Sequence, residues 1–138
     1  RAYLRISNEK IRRIDAIKHP NYFLILDESL LKYPNIKSLI DDTIVILNTE
    51  KSEDYQLPSN VEIYKVPATQ IAIDLDLKVA GQPIVNVAMI GAFAKASGLI
   101  SLESIKKVIT DHFGAKGEKN YEAAKRAYDM TEKMTRGN

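Results

Sequence analysis

Apolar and polar positions along this chain change period several times, and each change marks an expected element. Residues 1–7 (RAYLRIS) set Ala2, Leu4 and Ile6 against Tyr3, Arg5 and Ser7. That period of two predicts a strand with one wet face. Asn8, Glu9 and Lys10 turn the chain, residues 11–13 are expected to return as a brief edge strand, and a short helical piece is expected to end at His19-Pro20. Residues 22–26 (YFLIL) and 43–47 (TIVIL) are nearly unbroken apolar runs, as befits strands covered on both faces. Residues 61–66 (VEIYKV) make a third strand. Between the first two runs, residues 29–40 carry Leu30, Leu31, Ile36, Leu39 and Ile40 with Pro34 interrupting, the pattern of one broken crossover helix. Residues 50–60 are polar, contain Pro58 and read as a surface loop.

After Val66 the period becomes helical. Thr69 is placed to cap a helix over QIAIDLDL. A second helix is expected to follow Gly81, with Pro83 in its first turn, where a missing N–H costs nothing, and to stop at Ser97-Gly98. Ser101 caps the next helix, with Glu103 suiting its dipole, and that helix runs to His112–Gly114. A last amphipathic helix spans residues 119–134. Strands alternating with helices, then helices alone, predict an α/β domain with a largely parallel sheet.

One helix departs from the usual pattern. From Ile84 to Ile90 every position except Asn86 is apolar, and no convincing polar face develops. Such a helix lies between a sheet and a second covering layer, either part of this chain or another polypeptide. A buried amide at Asn86 costs about 1–3 kcal/mol unless partnered. It therefore either bonds a neighbouring backbone group or faces a ligand or subunit boundary. Gly91 costs about 1 kcal/mol against Ala in a helix interior. Its expected use is to let another backbone approach closely.

Composition narrows the function classes. The 138 residues, 45% hydrophobic and 28% charged, fit one globular domain. A net charge of +2 with scattered basic residues gives no footprint for nucleic acid, and no run approaches the ~20 apolar residues of a membrane span. Without cysteine the chain holds neither a disulfide nor a thiolate-ligated zinc or iron–sulfur cluster, a composition that suits a cytoplasmic protein. The chain opens at Arg1 already in a strand-like pattern, which reads as a sequence entered part-way through.

Little catalytic chemistry stands out. His19 and His112 lie on different elements in no metal-binding spacing, and Asp74 and Asp76, two apart on a helix, point to different faces. The carboxyl ends of the expected parallel strands carry Asp27-Glu28, Asn48-Thr49 and Pro67-Ala68-Thr69. Ligands of open parallel sheets gather at such ends. These side chains either meet polar ligand atoms there or hydrogen-bond their own loops and helix starts.

The segments RAYLRIS, NEKI, YFLILDESLL, TIVILNT, PATQIA, PIVNVAMIGAFAKASGLISLESIKKVI and EKNYEAAKRAY, in this order, resemble the gamma subunit of 2-oxoacid:ferredoxin oxidoreductases, in particular the pyruvate enzyme. The resemblance covers essentially the whole chain as one domain, 1–138, and PIVNVAMIGAFAKASGLISLESIKK is its most specific part. It implies a Rossmann-like three-layer α/β fold. It also implies one subunit of an enzyme that oxidatively decarboxylates a 2-oxoacid with thiamine diphosphate, coenzyme A and iron–sulfur clusters, and delivers electrons to ferredoxin. The clusters and thiamine diphosphate are expected on alpha, beta and delta-type partner subunits, with no catalytic residue and no metal on this chain. Asn86, Asn48 and Thr69 are the cofactor-binding candidates, with Asn86 making a cofactor-side or interface contact. The family opens with a strand and a loop of the type HGRGGQG, which this sequence does not contain, so the domain is expected to lack that first strand. The alternatives are a stand-alone nucleotide-binding α/β module, or the same family acting on 2-oxoglutarate, branched 2-oxoacids or indolepyruvate.

Overall fold

A computed structural model describes residues 2–13 and 15–135. The apolar runs become β1 (Tyr22–Ile25), β2 (Ile44–Asn48) and β3 (Glu62–Val66), joined as a parallel sheet with Ile25 opposite Leu47 and Asn48 opposite Val66. The crossover from β1 to β2 is indeed broken. A 3-10 turn at Glu28–Lys32 gives way to the one-turn α1 (Pro34–Lys37), and Pro34 opens α1 at its first helical position.

The two faces of the sheet are covered differently. Ile25, Val45, Leu47 and Ile63 point to one side, where Leu31 and Ile40 of the crossover and Tyr55, Leu57 and Val61 close over them. Residues 50–60 are thus more than a surface loop, because Tyr55 and Leu57 are buried in this layer. Ile46 and Val66 point to the other side, against α2 (Ala68–Asp74), α3 (Asn86–Ser97) and α5 (Glu118–Met130). Each fully buried Ile, Leu or Val contributes about 1.5–3 kcal/mol of burial free energy. Helices on one side, crossover and loop on the other, make a layered α/β domain.

α3 is the helix without a polar face, and the chain itself covers most of it, leaving Asn86 and Ile90 exposed. Ala88, Met89 and Ala92 pack on the sheet layer, while Gly91 and Ala94 face α5. A Cβ built on Gly91 would sit 2.8 Å from the Cα of Ala124, so the two backbones do approach closely. Lys95 lies over the ring of Tyr128, four residues beyond the Gly91–Ala124 contact on both helices, so α3 and α5 run in the same direction. The second covering layer is α5, its apolar side built from Ala123, Ala124 and Ala127. α4 (Leu102–Phe113) starts where Ser101 Oγ accepts from Ser104 N at 3.1 Å, and it packs Ile105 and Ile109 beside Ala124. Gly98, at φ 67°, ends α3 in the left-handed region as expected.

Several expectations are overturned. Residues 2–7 and 11–13 form no strand, and no helix precedes His19 among the described residues; Arg1 and Ile14 lie outside them. Alternation makes a strand only when a neighbour supplies the ladder, and here Arg5 instead donates to the carbonyl of Asp15 at 2.8 Å while Leu4 remains 76% exposed. The helix expected after Gly81 begins later, because residues 78–83 form a hairpin. β4 (Lys78–Val79) pairs antiparallel with β5 (Gln82–Pro83) across Ala80 and Gly81, at φ 52° and 80°. Two positive-φ residues make the turn whose twist suits a tight hairpin. Asn86 is consequently the first residue of α3, and its side chain is exposed rather than buried. The last helix stops at Met130, where Thr131 donates its hydroxyl to the carbonyl of Ala127 at 2.6 Å and turns extended. β6 (Glu132–Lys133) then pairs antiparallel with β3, Lys65 meeting Glu132 at 3.3 Å and Lys133 meeting Glu62 at 3.2 Å. The sheet order is β1-β2-β3-β6.

Candidate functional site

The carboxyl ends of β1, β2 and β3 are tied together by one side chain. Asn48, the last residue of β2, is 8% exposed. Its Nδ2 donates to the carbonyl of Leu26 at 2.9 Å and to Thr69 Oγ1 at 2.8 Å. Its Oδ1 accepts from the Thr69 backbone N–H at 3.2 Å. Both amide protons and one oxygen lone pair are therefore used within the chain. Thr69 is not the N-cap of α2. That position belongs to Pro67, whose side chain offers no acceptor, and Asn48 supplies the capping oxygen from the neighbouring strand. Thr69 Oγ1 accepts from Asn48, so its hydroxyl proton takes no part in the clasp, and the residue is exposed.

A second polar cluster adjoins the first. Glu28 Oε2 accepts from Thr49 Oγ1 and from the Tyr55 hydroxyl, each at 2.7 Å, and its Oε1 meets Lys51 Nζ at 3.1 Å. Burial opposes ionisation of Glu28, but the hydrogen bonds from Thr49, Tyr55 and Lys51 outweigh it and hold the carboxyl below its ordinary range. Burial, with Glu28 nearby, pushes the Tyr55 hydroxyl up to about 12. The cluster fastens residues 49–55 to the crossover and lines one wall of a shallow depression of about 230 Å³ bounded by Asp27, Ser29, Lys32 and Glu53. Asp27 itself caps the 3-10 turn by accepting from Ser29 N at 3.0 Å, and two bonds from Ser29 hold it ionised below its ordinary range.

Asn48 and Thr69 are thus brought together, while Asn86 sits on α3 and shares no hydrogen bond with either among the described residues. No local pattern signals the Asn48–Thr69 pairing or Glu28 as a hub. Asn and Thr at strand ends were visible, but hydrogen bonds across twenty-one residues leave no local period. His19 and His112 are exposed, and His112 packs edge-on against Phe113 at 4.6 Å. Asp74 accepts from Gln70 at 2.8 Å and Asp76 pairs with Lys78 at 3.7 Å, so these acids do not act together. Among the described residues no group of three potential ligands could hold a metal ion, and no helix is long and apolar enough to cross a membrane.

The profile of the family described as pyruvate ferredoxin/flavodoxin oxidoreductase matches residues 1–130. The chain belongs to that family. Among curated relatives, it is 42% identical to pyruvate synthase subunit PorC of Methanothermobacter thermautotrophicus, over 96% of this chain and 71% of that protein. It is 43% identical to the common gamma subunit of the pyruvate and ketoisovalerate oxidoreductases of Pyrococcus furiosus, over 95% of this chain and 72% of that protein. The crystal structure of the pyruvate oxidoreductase subunit PORC from Thermotoga maritima superposes with a TM-score of 0.73 at 29% identity, covering 88% of this chain and 69% of that one. A 2-oxoglutarate:ferredoxin oxidoreductase from Magnetococcus marinus matches at a TM-score of 0.54 and 23% identity over 79% of this chain and 18% of its own, a likeness of fold alone. The oxidoreductase family thus builds this domain on the parallel sheet whose carboxyl ends Asn48 clasps.

Proposed function

We infer that this chain is the gamma-type component of a pyruvate:ferredoxin oxidoreductase, the multi-subunit enzyme that converts pyruvate and coenzyme A to acetyl-CoA and CO2 while reducing ferredoxin. The observation that carries the reading is the 42–43% identity, across nearly the whole chain, to a pyruvate synthase subunit PorC and to a gamma subunit common to pyruvate and ketoisovalerate oxidoreductases. Alpha, beta and delta-type subunits complete the assembly in this reading, and it works in the cytoplasm. The donor set argues against a cluster on this chain, since a sequence without cysteine offers no thiolate to iron. Thiamine diphosphate and the iron–sulfur clusters belong to the partner subunits. They supply the carbanion and electron-transfer chemistry there.

The chain's own contribution is structural and coenzyme A-side rather than catalytic. Asn48 has spent its amide on the clasp, so its part is to hold the rim, and the remaining Thr69 hydroxyl proton is the group able to donate to a ligand oxygen. The exposed amide of Asn86 is an interface or cofactor-side contact of a different element. Co-purification with the partner subunits, and pyruvate-dependent dye reduction only when this chain is present, is the expected result. Loss of reduction with pyruvate but not with 2-oxoglutarate or a branched 2-oxoacid would fix the substrate. Tight binding of coenzyme A or an adenine nucleotide by the isolated chain, with no association with partner subunits, would replace this reading with a stand-alone nucleotide-binding module.

A further inference from the structure

We draw no further inference here: the strongest candidate, the arm of residues 2–13 with Tyr3, Leu4, Ile6 and Ile11 exposed beside its basic side chains, is an unpartnered apolar surface, and nothing in the structure shows what covers it.

Discussion

Gly91 is the position where the packing argument makes its sharpest demand. A methyl group there would lie 2.7 Å from the carbonyl carbon and 2.8 Å from the Cα of Ala124, and closer still to its carbonyl oxygen. All three are backbone atoms of α5, so no side-chain rotation relieves the contact, and α3 and α5 must move apart. Overpacking typically costs about 1–3 kcal/mol, and the immobility of the opposing atoms puts Gly91→Ala near the upper value. The better helix propensity of Ala returns about 1 kcal/mol. The net expectation is a loss of about 2 kcal/mol for Gly91→Ala and more for Gly91→Leu, against a domain stability of about 5–15 kcal/mol. Urea unfolding of the isolated chain reads this directly, and the melting temperature should fall by roughly 4–8 °C at about 2–4 °C per kcal/mol. Ala124→Gly should not rescue the variant, because the collision is with the carbonyl and Cα rather than with the Ala124 methyl. A Gly91→Ala chain as stable as the parent, or more stable, would refute the reasoning, since that is how a solvent-facing helical glycine behaves.

Three further substitutions probe the site and the turn. Asn48→Ala removes three hydrogen bonds at once and strands the Leu26 carbonyl and Thr69 N–H, so thermal unfolding should reveal a loss of about 2–4 kcal/mol; a loss below 1 kcal/mol would mean the clasp does not hold the strand ends. For Glu28 the folded carboxyl titrates below its unfolded value of 4.5. Its stabilisation is therefore fully present above that value and is lost as pH falls through the folded one. Urea midpoints of the parent should drop more steeply than those of Glu28→Gln as pH falls below 4.5, and parallel curves would contradict the hydrogen-bond account. Ala80 occupies φ 52° in the hairpin turn, where Asn-Gly is preferred over Ala-Gly. Ala80→Asn should therefore raise stability by up to about 1 kcal/mol in the same unfolding assay, because Asn tolerates the left-handed region better than Ala, and a destabilised variant would argue against that turn.

The parallel strands were legible because YFLIL and TIVIL bury both faces, and an unbroken apolar run bounded by polar residues has few other uses. α4 was legible from its ends, where Ser101 and Gly114 act locally. The failures share a cause. Lys78–Val79, Gln82–Pro83 and Glu132–Lys133 are two-residue strands too short to display a period, and β6 is made by its backbone pairing with β3, far away in sequence, where Met134 N donates to the carbonyl of Ile63 at 2.8 Å. The alternation in residues 2–7 gave the opposite error, a local pattern without the neighbouring strand it needs. Tyr55 and Leu57 were hidden by the polar residues around them. α3 was read correctly as covered on several sides, but its cover is the alanine side of α5, whose small side chains look unremarkable until Gly91 is found against Ala124. At the carboxyl rim the residue types were visible. Their pairing was not, because Asn48 and Thr69 meet only once the sheet is built.

The central claim is that this chain is a component of a pyruvate-oxidising assembly and carries none of its redox chemistry. The most direct measurement is pyruvate- and coenzyme A-dependent dye reduction by the partner subunits, purified with and without this chain. The account predicts no reduction by the isolated chain, and activity in the assembly that depends on adding it. Full activity of an assembly from which this chain has been omitted would contradict the account.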